Sequence, residues 1–358
     1  MNTKERAAAL AKVSGSFPIL GEVTTEGLLE VVRMELGHEE ILDGFRPYGD
    51  HFSRARTLSP IVHVVSGNTP HAALQSMTRG LLLGARNRVK VPSAGLPEVG
   101  SFLAELPLEL QGLVEVSPTL PDNWLEEAEA VIVYGSDETI GHFRKLVPTR
   151  VRYEEHPHRV SVGLVYEDPH YASVAAAAAD VSAFSQKGCL SPHDIYVAGD
   201  ARTYAVRLAE EMAKYEAANP RGAVTSYEAS EIMNVRANYR FRSASDMRVQ
   251  LWESEGSTAW TVIYEDDPWF AGSCLNRVVY VKPLPGNLPE ALGPARAWLA
   301  ATGIWPAEPK WAEKAAEMGP SRICALGRMQ LPPVGWHQEG KQILAGLARW
   351  VDFEPEIC

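Results

Sequence analysis

Short runs of uninterrupted apolar residues alternate along the chain with stretches whose apolar positions recur every three to four residues. The runs at 61–65 (IVHVV), 88–91 (RVKV), 113–116 (LVEV) and 130–134 (AVIVY) predict strands. The segments between and after them, 71–85, 96–105, 122–128 and 137–145, carry helical spacing. Strands apolar on both sides, separated by helices, predict a parallel sheet with both faces covered, because neither face is written to meet water. After Val151 the pattern restarts with a strand at 159–165 and an Ala-rich helix from Tyr171 to about Gln186. Pro169 suits the first turn of that helix and Gly188 its end. A strand at 194–198 and a helix at 201–217 follow, then a polar stretch, 218–245, that reads as a loop or excursion. Strands are expected at 259–264 and 277–282, and helices at 288–301 and 308–317. A last buried strand at 322–325, a Pro-rich link and a final helix at 340–350 complete the pattern.

The restart divides the 358 residues into two α/β units joined near 150–160. With 46% hydrophobic and 22% charged residues, the composition is that of an ordinary globular chain. The net charge is −11, and nothing in the sequence resembles the clustered basic stripe that a nucleic-acid binder needs. It also means that an anionic substrate must be met by local cations or helix N-termini. The cysteines at 189, 274, 324 and 358 form no CxxC pair, and no metal site is expected. The first twenty residues lack a long apolar core, and no apolar stretch approaches a membrane span. A cytoplasmic location with reduced thiols is the expectation.

Candidate chemistry gathers at junctions between strands and helices. Cys189, in SQKGCLSPHD, follows a helix and precedes a strand. A thiolate there would attack carbonyls and thioesters, although a small buried Cys is the commoner outcome. The negative end of the preceding helix opposes thiolate formation, and His193 is a local cationic candidate to offset it. Asn68, in SGNTP, either donates to an oxyanion or only shapes a turn. Gly135 and Ser136 follow a strand and open a helix, where free N–H groups bind phosphate, without the GxGxxG fingerprint. Lys90, with Arg86 and Arg88 close in sequence, suits an adenosine ribose or its 2′-phosphate, or is a solvated basic turn. His156 and His158 are two residues apart, and His158 is the candidate proton donor. The segment WHQEG at 336–340 either covers a pocket or caps a helix.

In this order the motifs resemble the aldehyde dehydrogenase superfamily, and within it the LuxC-type acyl-CoA reductases, from about Ile61 to the C-terminus. The QKGCLSP stretch and the long ending SRICALGRMQLPPVGWHQEGKQILAGLARWVDFE are the most specific parts of the likeness. The resemblance implies that Cys189 is the nucleophile, Asn68 the oxyanion donor, Lys90 the ribose contact, and Gly135 with Ser136 the pyrophosphate contact. It implies an aldehyde-dehydrogenase-like fold of two α/β/α units, each with a mainly parallel sheet, and a cleft between them. Residues 1–158 would bind the nucleotide, 159–330 would carry the nucleophile, and 331–358 would form a C-terminal segment, part of which would complete the first unit.

Two departures refine the expectation. The ELGG-like segment with its water-activating Glu has no counterpart in HPHRVSVGLV, with Glu154 and Glu155 just upstream and out of register. That favours acyl transfer from a thiol over hydrolysis. The chain before Asn68 is shorter than in typical members, so the front of the cofactor domain and the oligomerisation hairpin are expected to be reduced. After Lys90 come Ser93 and Ala94 rather than an acid, which with Arg86 and Arg88 tilts the cofactor to NADPH over NADH. The implied activity is reduction of a fatty acyl-CoA, or acyl-carrier-protein, thioester to the aldehyde. An oxidative NADP-dependent aldehyde dehydrogenase and a non-catalytic acyl-carrying subunit are the alternatives. A homo-oligomer or the partner subunits of a fatty-acid reductase-type complex are the implied assemblies.

Overall fold

The computed structural model describes residues 1–65, 67 and 70–355. The chain divides into two compact units: Met1–His158 together with the segment from Leu331 onward, and Arg159–Gln330.

The first unit contains β1 (Arg46–Tyr48), β2 (His51–Thr57), β3 (Ile61–Val64), β4 (Asn87–Lys90), β5 (Val114–Ser117), β6 (Ala130–Tyr134) and β7 (Arg152–His156). Five of these form a parallel sheet in the order β5-β4-β3-β6-β7. Alternate residues of β3 and β6 serve opposite cores. Ile61, Ala130 and Ile132 pack with the helices Thr3–Ser14, Thr25–Leu36 and Pro70–Leu82. Val62, Val64, Val131 and Val133 pack with Trp124, Leu125, Ile140 and Phe143 on the other side. This is why β3 and β6 read as continuous apolar runs. Gly80 lets the helix Pro70–Leu82 approach the sheet, since a Cβ there would lie 1.9 Å from Asn87 Oδ1. Beneath it, His63 bonds Asn87 Oδ1 at 2.9 Å and Ser76 Oγ at 2.7 Å, and burial pushes its pKa down to about 4. His63 is thus a neutral structural imidazole.

The second unit contains β8 (Val160–Val165), β9 (Pro192–Val197), β10 (Val249–Glu253), β11 (Thr261–Glu265), β12 (Val278–Pro283), β13 (Leu299–Trp305) and β14 (Arg322–Ala325). They form one sheet in the order β10-β11-β12-β9-β8-β13-β14, parallel except for β10 at its edge.

Several expectations need correction. The polar stretch 218–245 is not a loop: Ser226–Ser243 is a helix with a capping box between Thr225 and Glu228. It buries only Ile232 and Arg236, too few positions to write an apolar stripe into the sequence. The expected helix at 288–301 stops at Leu292, passes through a 3-10 segment and becomes β13, a central strand between β8 and β14. The Ala-rich helix runs Val174–Ser182, shorter than 171–186. The strand at 322–325 is half-buried and is not the last.

That place belongs to β15 (Ala348–Phe353), where a helix at 340–350 was expected. β15 pairs antiparallel with β2, and β1-β2-β15 form a separate three-stranded sheet. β1 and β2 form a hairpin ahead of β3. Among the described residues, no helix is long and apolar enough to cross a membrane.

Candidate active site

Two sets of residues carry the candidate chemistry, one in each unit. In the first, the strand order reverses direction between β3 and β6, and ligands of open parallel sheets settle outside the carboxyl ends at such a point. Lys90 at the end of β4 and Gly135 with Ser136 after β6 lie on that edge. Ser136 is the N-cap of the helix Asp137–Leu146, its Oγ accepting from Thr139 N at 3.3 Å. Gly135 is required there because a Cβ would come within 2.9 Å of Thr139. Asp137 and Glu138 occupy the first turn and counter some of the positive potential an anion would feel. Asn68 lies outside the described residues.

The basic residues of β4 separate. Arg86 precedes the strand and is exposed at the opposite edge of the sheet from Lys90. Arg88 shares Lys90's face of the strand, but it is buried over the Trp124 ring, and Nη2 donates to Glu127 Oε2 at 2.6 Å. The structure thus puts Arg86 and Lys90 at opposite ends of β4 and pairs Arg88 with Glu127.

His158 is exposed beyond the end of β7. The ordered imidazole is its neighbour His156. Its Nδ1–H donates to Glu339 at 2.9 Å, and its ring stacks on Tyr134 with centroids 4.3 Å apart. The carboxylate takes Nδ1 as its donor and holds the ring's orientation. The HPH spacing drew attention to the pair, but only the return of the 336–340 segment distinguishes its members. Glu155 is held in an ion pair with Arg144.

In the second unit, Cys189 is exposed on the turn leading into β9. Cys274 and Cys324 are half-buried, and burial pushes both thiols up to about 11. At neutral pH those two are almost wholly protonated and poor nucleophiles. The Cys189 turn is firmly built. Phe184, Ser185 and Gln186 take left-handed φ of 51°, 55° and 61°, a conformation that costs non-glycine residues about a kilocalorie or more each. Gln186 is fully buried and holds them, its Nε2 donating to Pro192 O and its Oε1 accepting from Val278 N, each at 2.9 Å. Ser161 Oγ donates to the Cys189 carbonyl at 2.7 Å.

The cation that answers the negative end of the helix Val174–Ser182 is Arg277, which sequence reasoning missed. Its Nε donates to Ser182 O at 3.0 Å and its Nη2 to Asn219 O at 3.1 Å, while Nη1 pairs with Glu216. It sits 95 residues downstream of Ser182, at the end of a second left-handed run, Leu275–Arg277. No local signal could have found it. His193 Nδ1 accepts from Ser273 N at 3.0 Å. Its neighbour Asp194 accepts from Ala271 N at 3.0 Å, so the two side chains anchor the 271–273 segment beside β9.

The likenesses of the chain to known proteins agree with one another. A family model described as acyl-CoA reductase (LuxC) matches residues 21–350. The long-chain acyl-protein thioester reductase of Aliivibrio fischeri is 24% identical over 368 residues, covering 96% of this chain and 74% of that protein. Long-chain acyl-protein thioester reductase 2 of Photobacterium leiognathi is 23% identical over 363 residues, covering 96% and 74%. Among solved structures, a mutant indole-3-acetaldehyde dehydrogenase of P. syringae in complex with NAD+ and IAA superposes with a TM-score of 0.72 at 11% identity, over 98% of this chain and 84% of that one. At that identity the likeness speaks for the fold, which is that of the aldehyde dehydrogenases.

Proposed function

The chain belongs to the acyl-CoA reductase (LuxC) family, and from that premise we propose that it reduces a fatty acyl thioester to the aldehyde through an acyl group carried on Cys189. The observation that carries the reading is the contrast among cysteines: Cys189 is exposed on a pinned turn, whereas the Cys274 and Cys324 thiols are pushed up to about 11. The Cys189 thiolate attacks the thioester carbonyl, the carbon–sulfur bond to the carrier breaks, and the carrier leaves as a thiol after taking up a proton. The Asn68 amide stabilises the tetrahedral oxyanion formed on the way. His158 is the proton donor of the sequence reading; His156, oriented by Glu339, is the better-ordered candidate. The carrier is CoA or a protein, and the names of the relatives favour a protein-borne acyl group.

The hydride that turns the acyl-cysteine into aldehyde is what a nicotinamide cofactor supplies when bound. The carboxyl edge of the five-stranded sheet fits such a group: an open helix N-terminus at Ser136 and a half-exposed Lys90 lie beside the switch point. Lys90 would meet the adenosine ribose, and Gly135 and Ser136 the pyrophosphate. With Arg86 on the far edge and Arg88 held by Glu127, NADPH is favoured only by the lack of an acid after Lys90.

The test is consumption of NADPH against a series of acyl-CoAs, with intact-protein mass spectrometry on the same samples. NADPH loss with aldehyde formation and an acyl adduct on Cys189 is expected. An adduct without NADPH loss would mark an acyl carrier, and aldehyde formation with no adduct would remove the covalent step.

A further inference from the structure

The helix Ser226–Ser243 is held by few buried residues, Ile232 and Arg236. Arg236 fixes its middle, donating from Nε to Thr261 Oγ1 at 2.9 Å and from Nη1 to Ser257 O at 2.6 Å. The first turn is fixed by charge. Glu228 closes the capping box with one oxygen, Oε2 accepting from Thr225 N at 2.8 Å, and its Oε1 pairs with Lys187 Nζ at 2.5 Å.

Lys187 stands two residues before Cys189. The two residues sit on consecutive tight turns, closed by Lys187 N donating to Phe184 O at 3.1 Å and Ser191 N donating to Gly188 O at 3.0 Å. Gln186 and Ser161 hold the same stretch through uncharged, buried side chains. Other cations around this junction are committed elsewhere. Arg277 is spent on Ser182 O, Asn219 O and Glu216. Arg221, which feels the charge of Glu228, donates to Asn276 O and to Thr258 Oγ1, each at 2.8 Å. The Lys187–Glu228 pair differs from these in being partly open to water, its side chains 30% and 21% exposed. The ammonium, helped by the Thr225 N–H, holds the Glu228 carboxyl down to about 2. Glu228 is therefore charged at any pH near neutrality and offsets Lys187 throughout.

We propose that Lys187 is a cation acting on the Cys189 sulfur and that Glu228 is the positioning residue that masks it, so that the first turn of the helix Ser226–Ser243 sets the potential at the thiol. Displacing that turn unmasks the ammonium, and an unmasked ammonium favours a thiolate beside it. Cys189 is also the thiol of the acyl-enzyme reading, but the reagents below need only an accessible thiol. Failure of acylation and failure of this charge pair are therefore separate outcomes.

The test compares the rates at which iodoacetate, an anion, and iodoacetamide, which is neutral, alkylate Cys189 in the full chain at pH 7, read by mass spectrometry of the peptide that contains it. The ratio of the two rates follows the local potential, and a general loosening of the turn speeds or slows both reagents together. Lys187→Met should lower the iodoacetate-to-iodoacetamide ratio by about two- to threefold, the size expected of one partly exposed charge on a neighbouring turn. Glu228→Gln should raise it by a similar factor, and Lys187→Arg should leave it in place. Gln also serves the third position of a capping box, so Glu228→Gln remains readable should Lys187→Met fail to fold. An unmoved ratio in either folded variant, or a shift of the same sign in both, would overturn the proposal.

Discussion

The edge of the five-stranded sheet that carries Lys90, Gly135 and Ser136 and the turn that carries Cys189 are built in opposite ways. The first is made of neighbours in sequence: a strand ends, a glycine turns, and a serine caps the next helix through Thr139 three residues on. The second is held by groups far away in the chain. Gln186 reaches Val278, 92 residues on, and Arg277 reaches back to Ser182. Three left-handed residues in succession would not persist in isolation. The difference teaches that a helix N-terminus at a sheet's carboxyl edge comes almost free with a parallel sheet, whereas an exposed cysteine on a left-handed turn must be over-determined by buried contacts. Substitutions in the first should change binding; substitutions in the second should change both stability and chemistry.

Cys189→Ala sharpens that contrast most. It should eliminate both the acyl adduct and aldehyde formation, while Cys274→Ala and Cys324→Ala, judged by mass spectrometry, leave the adduct in place. An adduct surviving in Cys189→Ala would break the assignment of the turn.

Arg277→Met comes next. It removes the guanidinium from Ser182 O and leaves Glu216 without its partner, so unfolding in urea should show a loss of about 3 kcal/mol. The pH–rate profile of acylation should also move to higher pH, because the helix end near the thiol loses its compensating charge. Unchanged stability would mean that the turn is not held from Arg277.

The carboxyl of Asp180 gives a pH-dependent handle on the same unit. It is 2% exposed, accepts from Gly327 N and Met329 N at 2.5 and 3.0 Å, and is pushed by burial from 3.8 up to about 7. The folded state therefore binds more protons than the unfolded one between these values. Stability should fall as pH rises from 3.8 to about 7, and Asp180→Asn should flatten that slope in melting curves taken across the window.

The smallest effects belong to the first unit's edge. Lys90→Ala should raise the KM for NADPH by about tenfold, roughly 1.4 kcal/mol, with little change in melting temperature. Arg86→Ala, on the far edge, should leave that KM unchanged. Equal effects of the two would break the geometric distinction between the ends of β4.

Strands buried on both faces were legible as continuous apolar runs: β3, β6 and β8. Among the half-exposed strands, β5 and β14 were legible but β7 and β10 were not. β7 reads RYEEH and β10 reads VQLWE, and each is a strand because a neighbour supplies its ladder. β13, LAATGIW, has the alanine content of a helix, but it lies between β8 and β14, where a strand satisfies both partners. Of the site, the positions of Cys189, Lys90, Gly135 and Ser136 at element junctions were readable. The roles of Gln186, Arg277, His156 and Glu339 were not.

What local order alone decides here is the alternation of apolar strands and helices, the helix caps, and a cysteine at a helix-to-strand junction, since each depends on residues a few positions apart. Folding in three dimensions decided that residues 348–353 form a strand on β2 rather than a helix, that Arg88 pairs with Glu127, and that Arg277 caps the helix before the thiol. The physical reason is common to all three. The partner that satisfies each buried hydrogen-bonding group or charge is distant in sequence, and only the packed chain brings the two together.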